Sequence, residues 1–263
     1  MPAVTDIRRL HVFLVGYEAL PKSVSTRGRG ENFLLASPVC AYLVETVAGL
    51  VLIDCGIDGA RLASPDLRER WFPSAWWPTA PAVLPQHELL GQLARIGVAP
   101  ADVGTVILSH THCDHTGNLK HFRHAAVHIQ RREYDYAMGD HGNYAVFDED
   151  LRLPGLDWRI HEGDWTLVSG LEAILTVGHM PGHQSFVVTL PESGVKILTI
   201  DAGDLQENFD EEIIPGECLG GDAEALASIR RLKRLRQERG AELMLLHDAA
   251  QVHLMRLSPD SYG

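Results

Sequence analysis

The chain is short of positive charge, of cysteine and of long apolar runs, and each shortage closes off a class of function. Its 263 residues carry 23 Lys and Arg against 35 Asp and Glu, a formal charge of -12 at pH 7. Nucleic-acid binding draws on concentrated basic surface, so no nucleic-acid partner is expected. The one basic cluster, Arg230-Arg231-Leu232-Lys233-Arg234-Leu235-Arg236, is interleaved with leucines at helical spacing and reads as a solvated helix face. No apolar run is long enough to span a bilayer. The start, Met1-Pro2-Ala3-Val4-Thr5-Asp6, lacks the basic-then-apolar pattern of an export signal. The expectation is a cytoplasmic protein with no membrane partner. Cys40, Cys55, Cys113 and Cys218 stand far apart with no Cys-x-x-Cys pair, which fits reduced thiols.

What is present describes an ordinary globular chain, 45% hydrophobic and 22% charged, long enough to bury one large core as a single domain over residues 1–263. Strands are predicted over 12–15, 41–45 and 51–54, with a turn near Ala48-Gly49 between the last two. A helix is predicted over 87–96, stopped by Gly97, and then a buried strand over 104–108. Further strands are predicted over 127–130, 173–177, 185–189, 196–200 and 242–246, with helices starting near Arg131 and spanning 223–237. Two halves of similar order predict an α/β fold, with two sheets face to face and helices outside.

The strand over 104–108 delivers the run Ser109-His110-Thr111-His112-Cys113-Asp114-His115. Alternate side chains of an extended segment share a face. His110 and His112 can therefore address one metal ion, while Asp114 and His115, on the turn that follows, address a second. Cys113 sits among better-placed ligands and reads as a small filler. His179, Asp201 and His247 each follow an apolar strand pattern and complete the set. One histidine after a strand is more often a capped or core residue than a ligand. Seven such side chains at strand ends are hard to explain by packing, because buried imidazoles and carboxylates are costly without partners.

The motif His110-Thr111-His112-Cys113-Asp114-His115, with His179, Asp201 and His247 in that order, resembles the metallo-β-lactamase superfamily of binuclear hydrolases. The stretches Gln130-Arg131-Arg132-Glu133-Tyr134, Glu162-Gly163-Asp164-Trp165, Gly178-His179-Met180-Pro181-Gly182-His183-Gln184-Ser185, Leu198-Thr199-Ile200-Asp201-Ala202 and His247-Asp248 are similar to those of the N-acyl homoserine lactonases, with 4-pyridoxolactonase a close relative. The resemblance implies an αββα sandwich. It assigns His110, His112 and His179 to one zinc, Asp114, His115 and His247 to another, and makes Asp201 the bridge. Two divalent ions, Zn2+ before iron, manganese or cobalt, would present a bridging hydroxide to the ring carbonyl. Asp114 would pass a proton to the leaving alkoxide, or serve only as a ligand. His183 competes with His179 for the ligand role; His179 is preferred as the first residue off its strand.

The expected activity is opening of an N-acyl homoserine lactone ring, which quenches the signal such lactones carry. The alternatives are 4-pyridoxolactone, a thioester or a phosphoester, and, in another class, a redox or RNA-processing protein on the same fold. A homodimer is expected by resemblance. Trp71-Phe72-Pro73-Ser74-Ala75-Trp76-Trp77-Pro78 reads as an exposed loop that lines an acyl pocket, forms a dimer contact or caps the core. One position departs from the pattern: lactonases commonly carry a tyrosine three residues after the bridging aspartate, and here that residue is Asp204. An ionised aspartate cannot donate a hydrogen bond to an oxyanion. Asp204 is then a candidate for a catalytic role of its own or a solvated loop residue, with Tyr17 or Tyr262 as candidates to supply the hydroxyl.

Overall fold

A computed structural model describes residues 5–263, so most of residues 1–6, which were read for an export signal, lies outside the described residues. Strands β1 (Ile7–Pro21), β2 (Leu34–Thr46), β3 (Gly49–Ile53), β4 (Val103–Ile107), β5 (Ala126–Gln130) and β6 (Asp157–His161) form one sheet in that order. Strands β7 (Trp165–Val168), β8 (Leu171–Leu175), β9 (Gln184–Leu190), β10 (Gly194–Leu198) and β11 (Glu242–Met244) form the second, in the order β11-β10-β9-β8-β7.

The alternation along β2 shows why the sheets stack. Cys40, Tyr42 and Val44 point into the core between the sheets, with Phe186, Val188 and Leu198 opposite, while Val39, Ala41 and Leu43 point outward under helices. A strand buried on both faces reads as a continuous apolar run, and β2 does. On the far side, Val187, Ile197 and Leu243 pack against Ile229 and Leu232 of the helix Asp222–Arg239. Three apolar layers between four layers of structure make an αββα sandwich. None of the helices among the described residues is long and apolar enough to cross a membrane.

Two parallel pairs set up the site. Strands β3 and β4 run together with Ile53 opposite Ile107, so Asp54 and the segment from Leu108 leave the sheet side by side. Strands β10 and β11 run together with Leu198 opposite Met244, sending Asp201 and His247 out at the same edge of the other sheet.

Several boundaries differ from expectation for local reasons. The helix over 87–96 splits into a 3-10 turn, Pro85–His87, and a helix, Leu89–Arg95, because Glu88 between them is extended at ψ 119. Gly97 does end it, in the left-handed region at φ +77. The strands expected to end at 177, 200 and 246 stop at Leu175, Leu198 and Met244. His179 is therefore not the first residue off its strand. The chain leaves the ladder early to turn, with Thr176 N–H donating to the His183 carbonyl at 2.9 Å and Ile200 at φ 51. Strands β6 and β7 were not foreseen; they are short and half-exposed, with no clean alternation.

Candidate metal centre

The early turns bring all seven predicted residues to one place. His110 Nε2 lies 3.1 Å from His112 Nδ1, which lies 3.0 Å from His179 Nε2, and the latter is 3.4 Å from Asp201 Oδ2. On the other side, His115 Nε2 is 3.1 Å from Asp114 Oδ2 and 3.5 Å from Asp201 Oδ1, and His247 Nε2 is 3.9 Å from Asp114 Oδ2. Four ligands at about 2.0–2.1 Å from a tetrahedral ion stand about 3.4 Å from one another, so both clusters have the spacing an ion requires. Asp201 stands between them, with Oδ2 3.4 Å from both His179 Nε2 and His247 Nε2 and Oδ1 facing His115. His115 Nε2 and Asp201 Oδ1 are buried with no hydrogen-bond partner. Orphaned lone pairs aimed at a common point are what a cation satisfies, and the donor set suits a pair of divalent ions.

The protonation tendencies agree. Burial holds His110, His112 and His179 below the usual imidazole range, His112 at about 4 and His179 at about 3, so this cluster presents neutral rings. Burial also opposes charge on His115 and His247, but surrounding carboxylates overcome it. Asp114, Asp201 and Asp54 raise His115 well above its ordinary value, and Asp201, Asp204 and Asp114 bring His247 to about 10. The second half of the centre is short of positive charge.

A ring of supporting groups fixes these side chains. Asp54, fully buried at φ 60, accepts from His115 Nδ1 at 2.9 Å, from the Ser109 hydroxyl at 2.7 Å and from the Ser109 amide at 2.8 Å. His247 Nδ1 donates to the Pro38 carbonyl at 2.8 Å. His183 lies outside both clusters; its Nε2 accepts the Asp201 amide at 3.1 Å and its Nδ1 meets Thr176 Oγ1 at 2.8 Å. Buried Glu133 ties the two halves. It accepts from the Thr111 amide at 3.0 Å, the Thr111 hydroxyl at 2.7 Å and the Gly182 amide at 2.9 Å. Gly182 is required there, since a Cβ would lie 2.2 Å from the Glu133 nitrogen.

The centre opens into a cavity of about 270 Å³ lined by Asp114, His179, Asp201, Asp204 and His247, by the apolar Leu20, Pro21, Val24, Trp76, Trp77 and Tyr144, and by the polar Glu18, Ser37 and Asn143. Asp204 is buried at 8% exposure, with a carboxylate oxygen within 4.8 Å of Asp201 and His247 ligand atoms, so it is not a solvated loop residue. Cys113 is buried and outside the clusters, as a filler would be.

The aromatic segment divides. Trp71 ends the helix Pro65–Trp71, and Phe72 and Trp77 are buried against Phe147, so they are not exposed loop residues. Trp76 alone of these is exposed, stacked on Tyr144 with centroids 5.3 Å apart. Neither Tyr17 nor Tyr262 reaches the cavity. Tyr17 is held against Ala82 and the His87 ring, and the Tyr262 hydroxyl accepts the Arg256 amide at 2.9 Å. The tyrosine in the wall is Tyr144, which sequence reasoning missed along with Asp54, Glu133 and Glu18. Asp54 left a signal, an acid at the end of a strand parallel to the motif strand, and Glu133 stood in the lactonase-like stretch Gln130–Tyr134.

Comparison with known proteins bears on this centre. The family profile of the metallo-beta-lactamase superfamily matches residues 36–240. The N-acyl homoserine lactonase of Bacillus cereus is 32% identical over 255 residues, covering 97% of this chain and 98% of its own. The solved structure of a B. thuringiensis AiiA variant with N-decanoyl-L-homoserine at its active site superposes with a TM-score of 0.86 at 31% identity, covering 97% of this chain and 99% of that one. An N-acyl homoserine lactone hydrolase holding its product N-hexanoyl-L-homoserine at the catalytic metal centre gives a TM-score of 0.86 at 31% identity, over 97% of this chain and 99% of that one.

Proposed function

The chain belongs to the metallo-beta-lactamase superfamily, and from that premise we propose that it is a metal-dependent hydrolase that opens the ring of N-acyl homoserine lactones and so quenches the signals they carry. The observation that carries this reading is the cavity, whose lining joins the histidine and carboxylate clusters to the apolar Leu20, Pro21, Val24, Trp76, Trp77 and Tyr144. A lactone ring at the clusters would leave its acyl chain among those apolar residues. The ring-opened product at the metal centre of a 31% identical hydrolase supports the same placement.

In this reading His110, His112 and His179 would hold one ion and Asp114, His115 and His247 the other, with Asp201 available to both. Imidazole and carboxylate donors at these spacings favour zinc. When bound, such a pair would lower the pKa of a water nucleophile and polarise the ester carbonyl. Hydrolysis places the water oxygen on the acyl carbon, breaks the bond to the ring oxygen, and requires a proton for the departing alkoxide. Asp114 lines the cavity at 6% exposure and relays that proton. Asp54 and the Pro38 carbonyl keep His115 and His247 aimed inward, as outer partners of ligating histidines do. Asp204, beside His247, shapes the polar lining where related lactonases carry a tyrosine.

Residues 1–263 act as one domain, because both clusters draw on both sheets. All four cysteines are free thiols, which supports action in the cytoplasm. A homodimer is expected from the family, and gel filtration reads its mass.

The deciding experiment assays zinc-loaded protein on short- and long-chain acyl homoserine lactones, 4-pyridoxolactone, thioesters and phosphoesters. The acyl homoserine lactones should show the highest kcat/KM. A higher value on any other class overturns the reading.

A further inference from the structure

One group in the cavity wall has no counterpart in the mechanism above. Glu18 lines the cavity at 9% exposure, and among the described residues its carboxyl group has neither a hydrogen-bond nor an ion-pair partner. An unpaired buried carboxyl costs stability, and an apolar residue would fill the position without that cost. Glu18 pairs with Ser37 across β1 and β2, next to Pro38, whose carbonyl orients His247. Burial first and the Asp114 carboxylate second push its pKa up to about 8, and Glu18 lines the same cavity as Asp114 and His247. In either protonation state a carboxyl oxygen accepts a hydrogen bond.

Residues two apart on a strand share a face, and beyond Glu18 the same wall continues with Leu20, Pro21 and Val24, growing more exposed outward to 42% at Val24. Along β1 the wall therefore offers a carboxyl acceptor at Glu18, with the Ser37 hydroxyl on the neighbouring strand, and apolar surface at Leu20, Pro21 and Val24 after it. An N-acyl homoserine lactone has the same order: scissile carbonyl, an amide N–H on the adjoining ring carbon, then the acyl chain.

We propose that Glu18 is a specificity-determining residue that accepts the amide N–H of the substrate, so that the enzyme selects lactones carrying a nitrogen donor on the ring carbon next to the scissile carbonyl. The inference rests on the lactonase reading. A lactone with carbon in place of that nitrogen leaves the buried carboxyl unpaired, and sites built for a hydrogen bond reject such analogues strongly.

The test compares kcat/KM for N-hexanoyl homoserine lactone and for the isosteric lactone whose amide nitrogen is replaced by a methylene. The wild-type enzyme should prefer the amide by about 10- to 100-fold. Glu18→Leu should bring the ratio near unity by losing rate on the amide, whereas Glu18→Gln, which keeps an acceptor oxygen, should retain most of it. General damage to the fold lowers both rates together and does not move the ratio. If the wild type opens both lactones equally, or Glu18→Leu keeps the preference, the Glu18 inference falls while the lactonase reading stands. If the wild type opens neither, the lactonase reading falls and takes the inference with it.

Discussion

Replacing Gly182 with alanine tests how tightly the ligand-bearing loops are coupled. The added methyl would lie 2.2 Å from the Glu133 nitrogen, 2.6 Å from its Cβ and 2.8 Å from its Cα, so no side-chain rotation relieves the clash. Opening the shortest contact from 2.2 Å to the 3.4 Å of ordinary contact needs a shift of about 1.2 Å. That shift breaks the 2.9 Å bond from the Gly182 amide to Glu133. It also moves His183, which holds the Asp201 amide, and drags on His179 three residues earlier. Overpacking costs about 1–3 kcal/mol and a lost hydrogen bond to a carboxylate about as much again. A loss of about 3 kcal/mol corresponds to roughly 6–12 °C in Tm for a chain of this size. Displaced supports of this kind weaken metal binding about 10- to 100-fold. Calorimetry of metal-free protein reads the first quantity, and competition with a chromophoric chelator the second. Gly104→Ala is the control, since nothing lies within 4 Å of its would-be Cβ. A Gly182→Ala protein with unchanged Tm and metal affinity would refute the coupling.

Elemental analysis should find two ions per chain at saturation; Asp201→Asn should weaken both and His247→Ala mainly one, and a single ion in the wild type contradicts the two-cluster reading. Trp76→Ala should weaken long-chain acyl lactones more than short-chain ones, at about 25 cal/mol per Å² of lost burial, with little change in Tm. Trp77, at 5% exposure, belongs to the core, so Trp77→Ala should destabilise by about 3–5 kcal/mol; the reverse pattern in the two variants refutes the division. His128, 2.8 Å from His161 and stacked on Trp165, is lowered to about 4 by burial and then by the His161 charge. Its folded pKa lies below the unfolded value of 6.5, so this contribution is complete above about pH 6.5 and lost as pH falls toward 4. Urea midpoints of metal-free protein should therefore fall more from pH 7 to pH 5 in the wild type than in His128→Gln, and equal falls refute it.

Much of this arrangement was legible because the ligands sit just past apolar strands, and apolar runs are what a sequence shows most plainly. The supporting groups were not legible for an equally physical reason. Asp54 meets His115 across 61 positions and His183 meets Asp201 across 18, each only once its own sheet has paired, while Glu133 meets Gly182 across 49, a contact that exists only once the sheets have stacked. Glu18 lay in a strand expected to stop at residue 15; β1 continues through a register shift between Leu14 and Gly16 that keeps it paired to Pro21. A bulge leaves no mark in the alternation of a strand apolar on both faces. The proline-punctuated aromatic segment concealed its burial because the partners of Phe72 and Trp77 come from Phe147 and Tyr144, some seventy residues on.

Each cluster takes members from both sheets: His110 and His112 follow β4 while His179 and Asp201 follow β8 and β10, and Asp114 and His115 follow β4 while His247 follows β11. An ion in either place would therefore act as a cross-link between halves of the chain that otherwise meet through an apolar layer and a few hydrogen bonds, such as those of Glu133 to Gly182 and of His247 to Pro38. Cross-links of this kind act on the barrier to separation, so the ions should lengthen the lifetime of the folded state more than they change its shape. Chelation would then be felt first as faster unfolding, with the two sheets free to slide apart along the Tyr42 and Phe186 layer before either sheet has melted.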